Sequence, residues 1–116
     1  MVDDEDAVRR ALARLLRASD FDVETYASGA KFLESLAVRL PDCVVLDMQM
    51  DELTGADVLR HLQAARVALP LIVITAFDEP GMRERCLAAG ACDFLRKPVL
   101  SDVLLAAIEK ALHRPS

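Results

Sequence analysis

The sequence predicts an α/β fold in which parallel strands alternate with helices. Two continuous apolar runs, CVVLD at 43–47 and LIVIT at 71–75, lack polar alternation and therefore suit strands buried on both faces of a sheet. Segments with helical spacing separate these runs, and strands joined through helices are parallel with right-handed crossovers. The 116 residues fit one domain, and 53% hydrophobic with 4% aromatic residues predict a mostly aliphatic core.

The first part of the chain predicts two helices with a short strand between them. Apolar residues at helical spacing predict an amphipathic helix over 6–18. Residues 23–26 are rich in strand-forming side chains. Ser28 can cap a second helix, which must end before Pro41.

The rest of the chain predicts alternating strands and helices. Thr54 and Asp57 have the spacing of a capping box that opens a third helix. We further predict a helix over 80–89, a short strand over 93–98 and a last helix that Ser101 caps.

Charge and cysteine usage exclude several classes of function. A formal net charge of −5 argues against general nucleic-acid binding, which needs a basic patch. Cys43, Cys86 and Cys92 lack metal-ligand spacing and predict free thiols in a reducing cytoplasm. No apolar segment is long enough for a membrane span, and the acidic N-terminus does not fit a signal peptide.

Polar residues end three of the predicted strands. Asp47, Thr75 and Lys97 all belong at the carboxyl edge of the sheet, where open parallel sheets bind ligands. Asp3 and Asp4 precede the first helix and belong at the same edge. Clustered carboxylates require a cation or raised pKa values, and oxygen ligands suit Mg²⁺. With a hydroxyl and an ammonium opposite, this set predicts phosphoryl transfer to a carboxylate.

Four motifs in this order, VDDED, VVLDMQMDELTG, IVITAF and DFLRKPV, resemble the receiver domain of bacterial two-component response regulators. The nitrogen-fixation type of transcriptional regulator is the most similar. The resemblance runs from Val2 to about Leu112. It implies a flavodoxin-like (βα)5 doubly wound parallel sheet of order 2-1-3-4-5. It also implies one receiver domain over residues 1–116, with no output domain within it.

The resemblance assigns an acceptor and its metal ligands. Asp47 matches the phosphoaccepting aspartate. Asp4 matches the direct Mg²⁺ ligand, and Asp3 the carboxylate that acts through water. Gln49 matches the residue that gives its backbone carbonyl to the metal.

The resemblance also assigns the residues that respond to phosphorylation. Thr75 matches the switch hydroxyl, and Phe94 the aromatic switch residue that turns inward. Lys97 matches the lysine that pairs with phosphoryl oxygens, and the bond between Lys97 and Pro98 is typically cis in this family.

The function that the resemblance implies is a signalling switch rather than an enzyme. A sensor histidine kinase, docking near the helix of Val8 and Leu12, passes a phosphoryl group to Asp47, and the change regulates an output such as transcription. No direct nucleic-acid or membrane contact is expected, and the expected location is the cytoplasm. The face formed by residues 80–112 is the expected homodimer surface. Its exposed candidates are Arg83, Glu84, Arg96, Asp102 and Glu109.

The sequence departs from the family at three places. Asp51 replaces a proline, which predicts a more mobile loop near the metal. Phe77 could shield the acyl phosphate from water, whereas Gln49 could orient a water, so we expect a moderate phosphoryl lifetime. Only Met1 and Val2 stand where a first strand of about five apolar residues is expected. Its loss would expose two strand edges, so we expect an omitted or misassigned start, or a partner that fills the gap.

Three other functions remain open at this stage. A pseudo-receiver, which is an interaction module without phosphorylation, usually loses an acidic or lysine position, and none is lost here. A hydrolase of the aspartyl-phosphate type usually carries a second aspartate at the position of Gln49. A nucleotide-binding flavodoxin-like protein would need a Gly-rich phosphate loop, which follows none of the predicted strands.

Overall fold

Three parallel strands with helices on both faces form the centre of the fold. The computed structural model describes residues 1–50, 53–76 and 79–113. Within these residues the elements in chain order are α1 (Asp6–Ala18), α2 (Gly29–Ser35), β1 (Val44–Asp47), α3 (Gly55–Ala64), β2 (Leu71–Thr75), α4 (Met82–Ala88), β3 (Asp93–Arg96) and α5 (Ser101–Leu112).

The sheet has the order β1-β2-β3 with parallel pairing throughout. Val45 lies opposite Ile72, and Val73 lies opposite Phe94. Every residue of β1 and β2 is buried, as the absence of polar alternation predicts. Because the strands run in the same direction, Asp47 and Thr75 end at one edge of the sheet.

Val2 completes the sheet beside β1. It forms parallel bridges to Leu46 on one side and to Tyr26 on the other. Its N–H donates to the Val45 carbonyl at 2.8 Å, and its carbonyl accepts from the Asp47 N–H at 2.9 Å. The order across the sheet is therefore Tyr26, Val2, β1, β2, β3. Counted along the chain, Val2 stands for strand 1, Tyr26 for strand 2, and β1, β2 and β3 for strands 3 to 5. The arrangement is therefore the doubly wound, flavodoxin-like order 2-1-3-4-5.

The shortened first strand was expected to expose two strand edges, but beside Val2 this exposure is smaller than expected. Val2 is fully buried and bonds through its own backbone to β1. Its neighbours Met1 and Asp3 bond to the Tyr26 backbone, so the two edges are bridged there. Beside Met1, a cavity of about 280 Å³ lies between the neighbouring segments and is lined by Val23, Val44 and Ile108 among others.

Helix starts follow local capping chemistry in two of the predicted cases. The Ser28 side chain accepts from the Lys31 N–H and begins α2. Thr54 and Asp57 form the predicted capping box at the start of α3. Both satisfy backbone donors that the first helical turn would otherwise leave unpaired.

Four boundaries differ from the sequence predictions. Residues 23–26 form a single bridge, of Tyr26 with Val2, rather than a strand. The Tyr26 backbone bonds to Met1 and Asp3, which flank Val2. Ser101 is the first residue of α5 and not its cap; Leu100 holds the cap position with no side-chain bond. The helix predicted over 80–89 starts after Gly81, whose φ of 80° breaks the helical path. β3 ends at Arg96, one residue before Lys97, and the bond between Lys97 and Pro98 is cis as expected.

Two hydrophobic clusters lie on the two faces of the sheet. One joins α2, α3 and α4 to the sheet around Leu46 and Val73, and the other joins α1 and α5 around Val45 and Ile72. The three cysteines are free thiols. Among the helices of the described residues, none has the length and apolar character needed to cross a bilayer.

Candidate functional site

Three carboxylates meet at the carboxyl edge of the sheet. Asp3, Asp4 and Asp47 each offer one oxygen, and these oxygens all lie within 4.8 Å of one another. Asp3 is 0% exposed and Asp47 is 1% exposed, while Asp4 is partly exposed. The paired aspartates follow Val2 and Asp47 ends β1, so neighbouring backbone segments bring them together. The sequence predicted this cluster correctly.

Lys97 provides the positive charge of the site. Its Nζ lies 3.2 Å from Asp3 Oδ2 and 3.3 Å from Asp47 Oδ2. The Lys97 N–H also donates to the Thr75 carbonyl at 2.7 Å, which holds the residue just beyond the end of β3. Burial would lower the pKa of Lys97, but the Asp47 and Asp3 carboxylates outweigh burial and raise it. The lysine therefore stays charged.

Asp47 is a buried acid in a crowded, negative environment. Burial raises the pKa of Asp47 from 3.8 to about 6, and the charge of Asp3 adds to the rise. The Gln49 N–H, which donates to Asp47 Oδ1 at 3.2 Å, and the Lys97 ammonium both oppose it. A further positive charge at this edge would favour the ionised form.

Asp3 is held rigidly by the start of α1. Its Oδ1 accepts from the Glu5 N–H at 2.9 Å, and its backbone carbonyl accepts from the Arg9 guanidinium at 2.9 Å. Its Oδ2 is buried and has no hydrogen-bond partner among the described residues, although Lys97 lies 3.2 Å away. The ion pair offsets the charge of this oxygen, and because a carboxylate oxygen has two lone pairs it can accept a further bond.

Gln49 connects the ends of β1 and β2 through its side chain. Its Oε1 accepts from the Thr75 hydroxyl at 2.7 Å and from the Ala76 N–H at 3.0 Å. Thr75 is fully buried, and its hydroxyl is directed toward the loop that follows Asp47. The sequence predicted Thr75 as a site residue but not this contact.

Gly55 allows α3 to pack closely against the end of β1, which carries Asp47. A Cβ at this position would lie 2.8 Å from both the Asp47 carbonyl oxygen and the Met48 Cα. The Gly55 N–H donates to the Met48 carbonyl at 3.2 Å. Any side chain here would displace the backbone that carries Asp47.

Phe94 is already inside the protein. It is 6% exposed and packs in the cluster formed with α2, α3 and α4. Its carbonyl accepts from the Arg83 guanidinium of α4 at 3.3 Å. In the structure Phe94 therefore already holds the inward position that the resemblance implied it would reach by turning.

One family model matches the sequence of this chain over nearly its whole length. The model of the response regulator receiver domain covers residues 1–109. The chain belongs to this family. Receiver domains belong to two-component systems and are signalling proteins rather than classical enzymes.

Curated and solved receiver proteins are similar over nearly the whole chain. The response regulator MprA of Mycobacterium sp. (strain KMS) is 40% identical over 116 residues, which is 100% of this chain and 50% of that protein. The response regulator receiver protein from Burkholderia phymatum is 42% identical, with a TM-score of 0.84, over 99% of this chain and 94% of that one. The structure described as FixJ-N is 34% identical, with a TM-score of 0.88, over 99% and 93%.

The chain spans about half the length of the curated relatives that it matches. The receiver match confirms the family and fold that the sequence motifs predicted. The roles of the individual site residues stay predictions, as does the assignment of residues 1–116 to one receiver domain without an output domain.

Sequence reasoning missed three contributors to the site. Arg9 fixes the Asp3 backbone, the Ala76 N–H meets Gln49, and Gly55 admits α3. The glycine directly after the capping Thr54 was a visible signal for the third. The predictions for Asp51 and Phe77 concern residues outside the described ranges.

Proposed function

We propose that this receiver domain is a phosphorylation-controlled switch whose acceptor is Asp47. The observation that carries the proposal is the buried Asp47 carboxylate, with Lys97 Nζ at 3.3 Å and Asp3 and Asp4 beside it. The phosphoryl donor is a phosphohistidine of a sensor histidine kinase. The output is the regulation of a further domain or partner, with transcription as the proposed process.

The carboxylate cluster fits Mg²⁺. Its donors are oxygen atoms without a thiolate or imidazole, which is the set that Mg²⁺ prefers. The buried Asp3 Oδ2 also has acceptor capacity that no described hydrogen bond uses. Asp4, Asp47 and the Gln49 backbone carbonyl would hold the ion, with Asp3 acting through water. When bound, Mg²⁺ neutralises charge on the phosphoryl oxygens and lowers the repulsion among the carboxylates.

The proposed transfer uses the protein's own groups in defined roles. An Asp47 carboxylate oxygen attacks phosphorus in line, and the phosphorus–nitrogen bond to the kinase histidine breaks with its electron pair on that nitrogen. Lys97 pairs with the phosphoryl oxygens, and the Thr75 hydroxyl donates to them. The Gln49 N–H holds Asp47 Oδ1 in place, which leaves Oδ2 beside the lysine.

The phosphoryl group then biases the conformation of the α4–β3–α5 surface. It adds a charge of roughly −1.5 to −2 by analogy with other phosphorylated side chains. Thr75 and Lys97 move toward this charge, and the inward position that Phe94 already holds is stabilised further. The Arg83 bond to the Phe94 carbonyl links this residue to α4. We propose the face formed by residues 80–112 as the dimer surface. Its candidates Arg83, Glu84, Arg96, Asp102 and Glu109 are all exposed.

Kinase docking is proposed on the exposed side of α1. Leu12 is buried and Val8 is half-buried, so these residues support the helix and leave contact to their exposed neighbours. Arg10 and Arg14 are exposed on this helix. A cytoplasmic location, with neither nucleic acid nor membrane contacting this domain, follows from the same proposal.

A pseudo-receiver is the second candidate, and Mg²⁺ dependence separates it from a phosphorylated switch. Incubation of the protein with acetyl phosphate should add one phosphoryl group in the presence of Mg²⁺ and none with excess chelator. Titration of Asp4→Asn with Mg²⁺ should show weaker binding than titration of wild type. If wild type neither binds Mg²⁺ nor becomes phosphorylated, the result supports the pseudo-receiver instead.

A further inference from the structure

The Gln49 side chain occupies donors that a phosphoryl group on Asp47 would need. Its Oε1 accepts from both the Thr75 hydroxyl and the Ala76 N–H, at 2.7 and 3.0 Å. Thr75 is the predicted switch residue, and Ala76 follows it at the carboxyl end of β2. Because one oxygen meets two converging donors, the carboxamide imitates an anionic acceptor at this position.

We propose that Gln49 is a latch that holds Thr75 and Ala76 in the unphosphorylated protein and competes with the phosphoryl group for them. The inference rests on the proposed phosphorylation of Asp47. It assigns the Gln49 side chain a positioning role, separate from the metal contact predicted for the Gln49 backbone carbonyl.

The latch is connected to the acceptor through its own backbone. The Gln49 N–H donates to Asp47 Oδ1 at 3.2 Å, so one residue contacts both the acceptor and the switch hydroxyl. Phosphorylation of Asp47 Oδ2 turns Oδ1 from a carboxylate oxygen into the neutral carbonyl oxygen of an acyl phosphate, which is a weaker acceptor for this N–H. The same event therefore loosens the backbone of Gln49 and presents a stronger acceptor to its donors.

The chemistry of the two acceptors gives the direction of the exchange. A neutral amide oxygen forms hydrogen bonds about half as strong as those of an ionised acceptor. The phosphoryl oxygens therefore displace Gln49 Oε1 once Asp47 is modified. Before modification, the amide oxygen gives the buried Thr75 hydroxyl a hydrogen-bond acceptor at 2.7 Å.

The direct test measures amide hydrogen exchange at Ala76 in metal-free, unphosphorylated protein. Gln49→Met removes the acceptor while retaining the length of the side chain, and we expect exchange at Ala76 at least about fivefold faster than in wild type. Gln63→Met is the matched control, because Gln63 is exposed on α3 and is expected to leave Ala76 unchanged. Unchanged exchange at Ala76 in Gln49→Met overturns the latch.

A second readout measures competition with the phosphoryl group. The initial rate of Mg²⁺-dependent phosphorylation by acetyl phosphate should rise about three- to tenfold in Gln49→Met, the factor expected for one neutral hydrogen bond. The rate of Gln63→Met should equal that of wild type. A rate in Gln49→Met equal to or below wild type contradicts the proposal. Gln49→Asn, which keeps the amide but shortens its reach, should give the same change if the methionine variant folds poorly.

The two readouts separate this inference from the proposed function. Ala76 exchange is measured without metal or phosphate, so it reports on the latch even if Asp47 is not the acceptor. Absence of phosphorylation in wild type would overturn the proposed function and the competition with it. Phosphorylation of wild type with unchanged Ala76 exchange in Gln49→Met would overturn the latch alone.

Discussion

Lys97 Nζ lies 3.3 Å from Asp47 Oδ2, so an ammonium from the end of β3 reaches across β2 to the carboxylate at the end of β1. The same Nζ lies 3.2 Å from Asp3 Oδ2. One cation therefore offsets two nearly inaccessible carboxylates, and net negative charge remains at the edge of the sheet. The energetics of the site follow from this imbalance.

Removal of the lysine should destabilise the fold. Lys97→Met leaves Asp3 and Asp47 without their cation, and loss of one partner of a buried pair costs about 3 kcal/mol. Lys110→Met, which changes the same charge on the exposed side of α5, should stay within about 0.5 kcal/mol of wild type. Urea unfolding at neutral pH without metal measures both free energies. Equal stability of the two variants would contradict the assigned pairing.

Neutralisation of the Asp47 side chain should stabilise the fold. Burial and Asp3 raise the pKa of Asp47 to about 6 in the folded protein. The folded state therefore binds this proton more tightly than the unfolded state, and its stability falls as pH rises from about 4 to about 6. Asp47→Asn has no such carboxylate, so at neutral pH without metal it should be more stable than wild type by about 3 kcal/mol.

The pH dependence of that difference provides the check. Unfolding free energies of wild type and Asp47→Asn, measured without metal, should diverge as pH is raised through the window between about 4 and about 6 and stay apart above it. A difference that is constant across this window would mean that Asp47 titrates normally. Added Mg²⁺ should stabilise wild type more than the variant, because only wild type retains all three carboxylates.

Arg9 should contribute more to stability than its neighbour Arg10. Both guanidinium groups pair with Asp6, but only Arg9 also donates to the Asp3 carbonyl, at 2.9 Å. The Arg9 side chain is 17% exposed and the Arg10 side chain is 74% exposed. Arg9→Ala should therefore cost about 1.5 kcal/mol, whereas Arg10→Ala should cost less than about 0.5 kcal/mol. Thermal unfolding of the two variants side by side measures this order, and a reversed order would refute it.

The edge of the sheet was predictable because its signals are local in the sequence. A strand buried on both faces is a continuous apolar run, so the polar residue that ends it is visible, as at Asp47 and Thr75. The capping box of Thr54 and Asp57 has a fixed spacing of three residues and was equally visible.

Features that depend on distant partners were not predictable. Residues 23–26 have the composition of a strand, but their pairing depends on the distant residues 1–3, which form one bridge with this segment, between Val2 and Tyr26. The direction of the Gln49 side chain depends on where the end of β2 lies in space. The buried position of Phe94 depends on the packing of the cluster around it rather than on its own spacing.

The cap residue of α5 was also not predictable from the sequence. Ser101 and Leu100 are adjacent, and a serine is the better cap by composition. The structure nevertheless places Leu100 at the cap without a side-chain bond.

The central claim is that Asp47 accepts a phosphoryl group, and intact-mass spectrometry after treatment with acetyl phosphate and Mg²⁺ tests it most directly. Wild type and Asp42→Asn, a substitution at an exposed aspartate two residues before the start of β1 and so at the opposite end of the strand from Asp47, should each gain the mass of one phosphoryl group. Asp47→Asn should gain none while remaining folded by circular dichroism. A phosphorylated Asp47→Asn protein, or a wild-type protein that gains no mass under these conditions, would contradict the account.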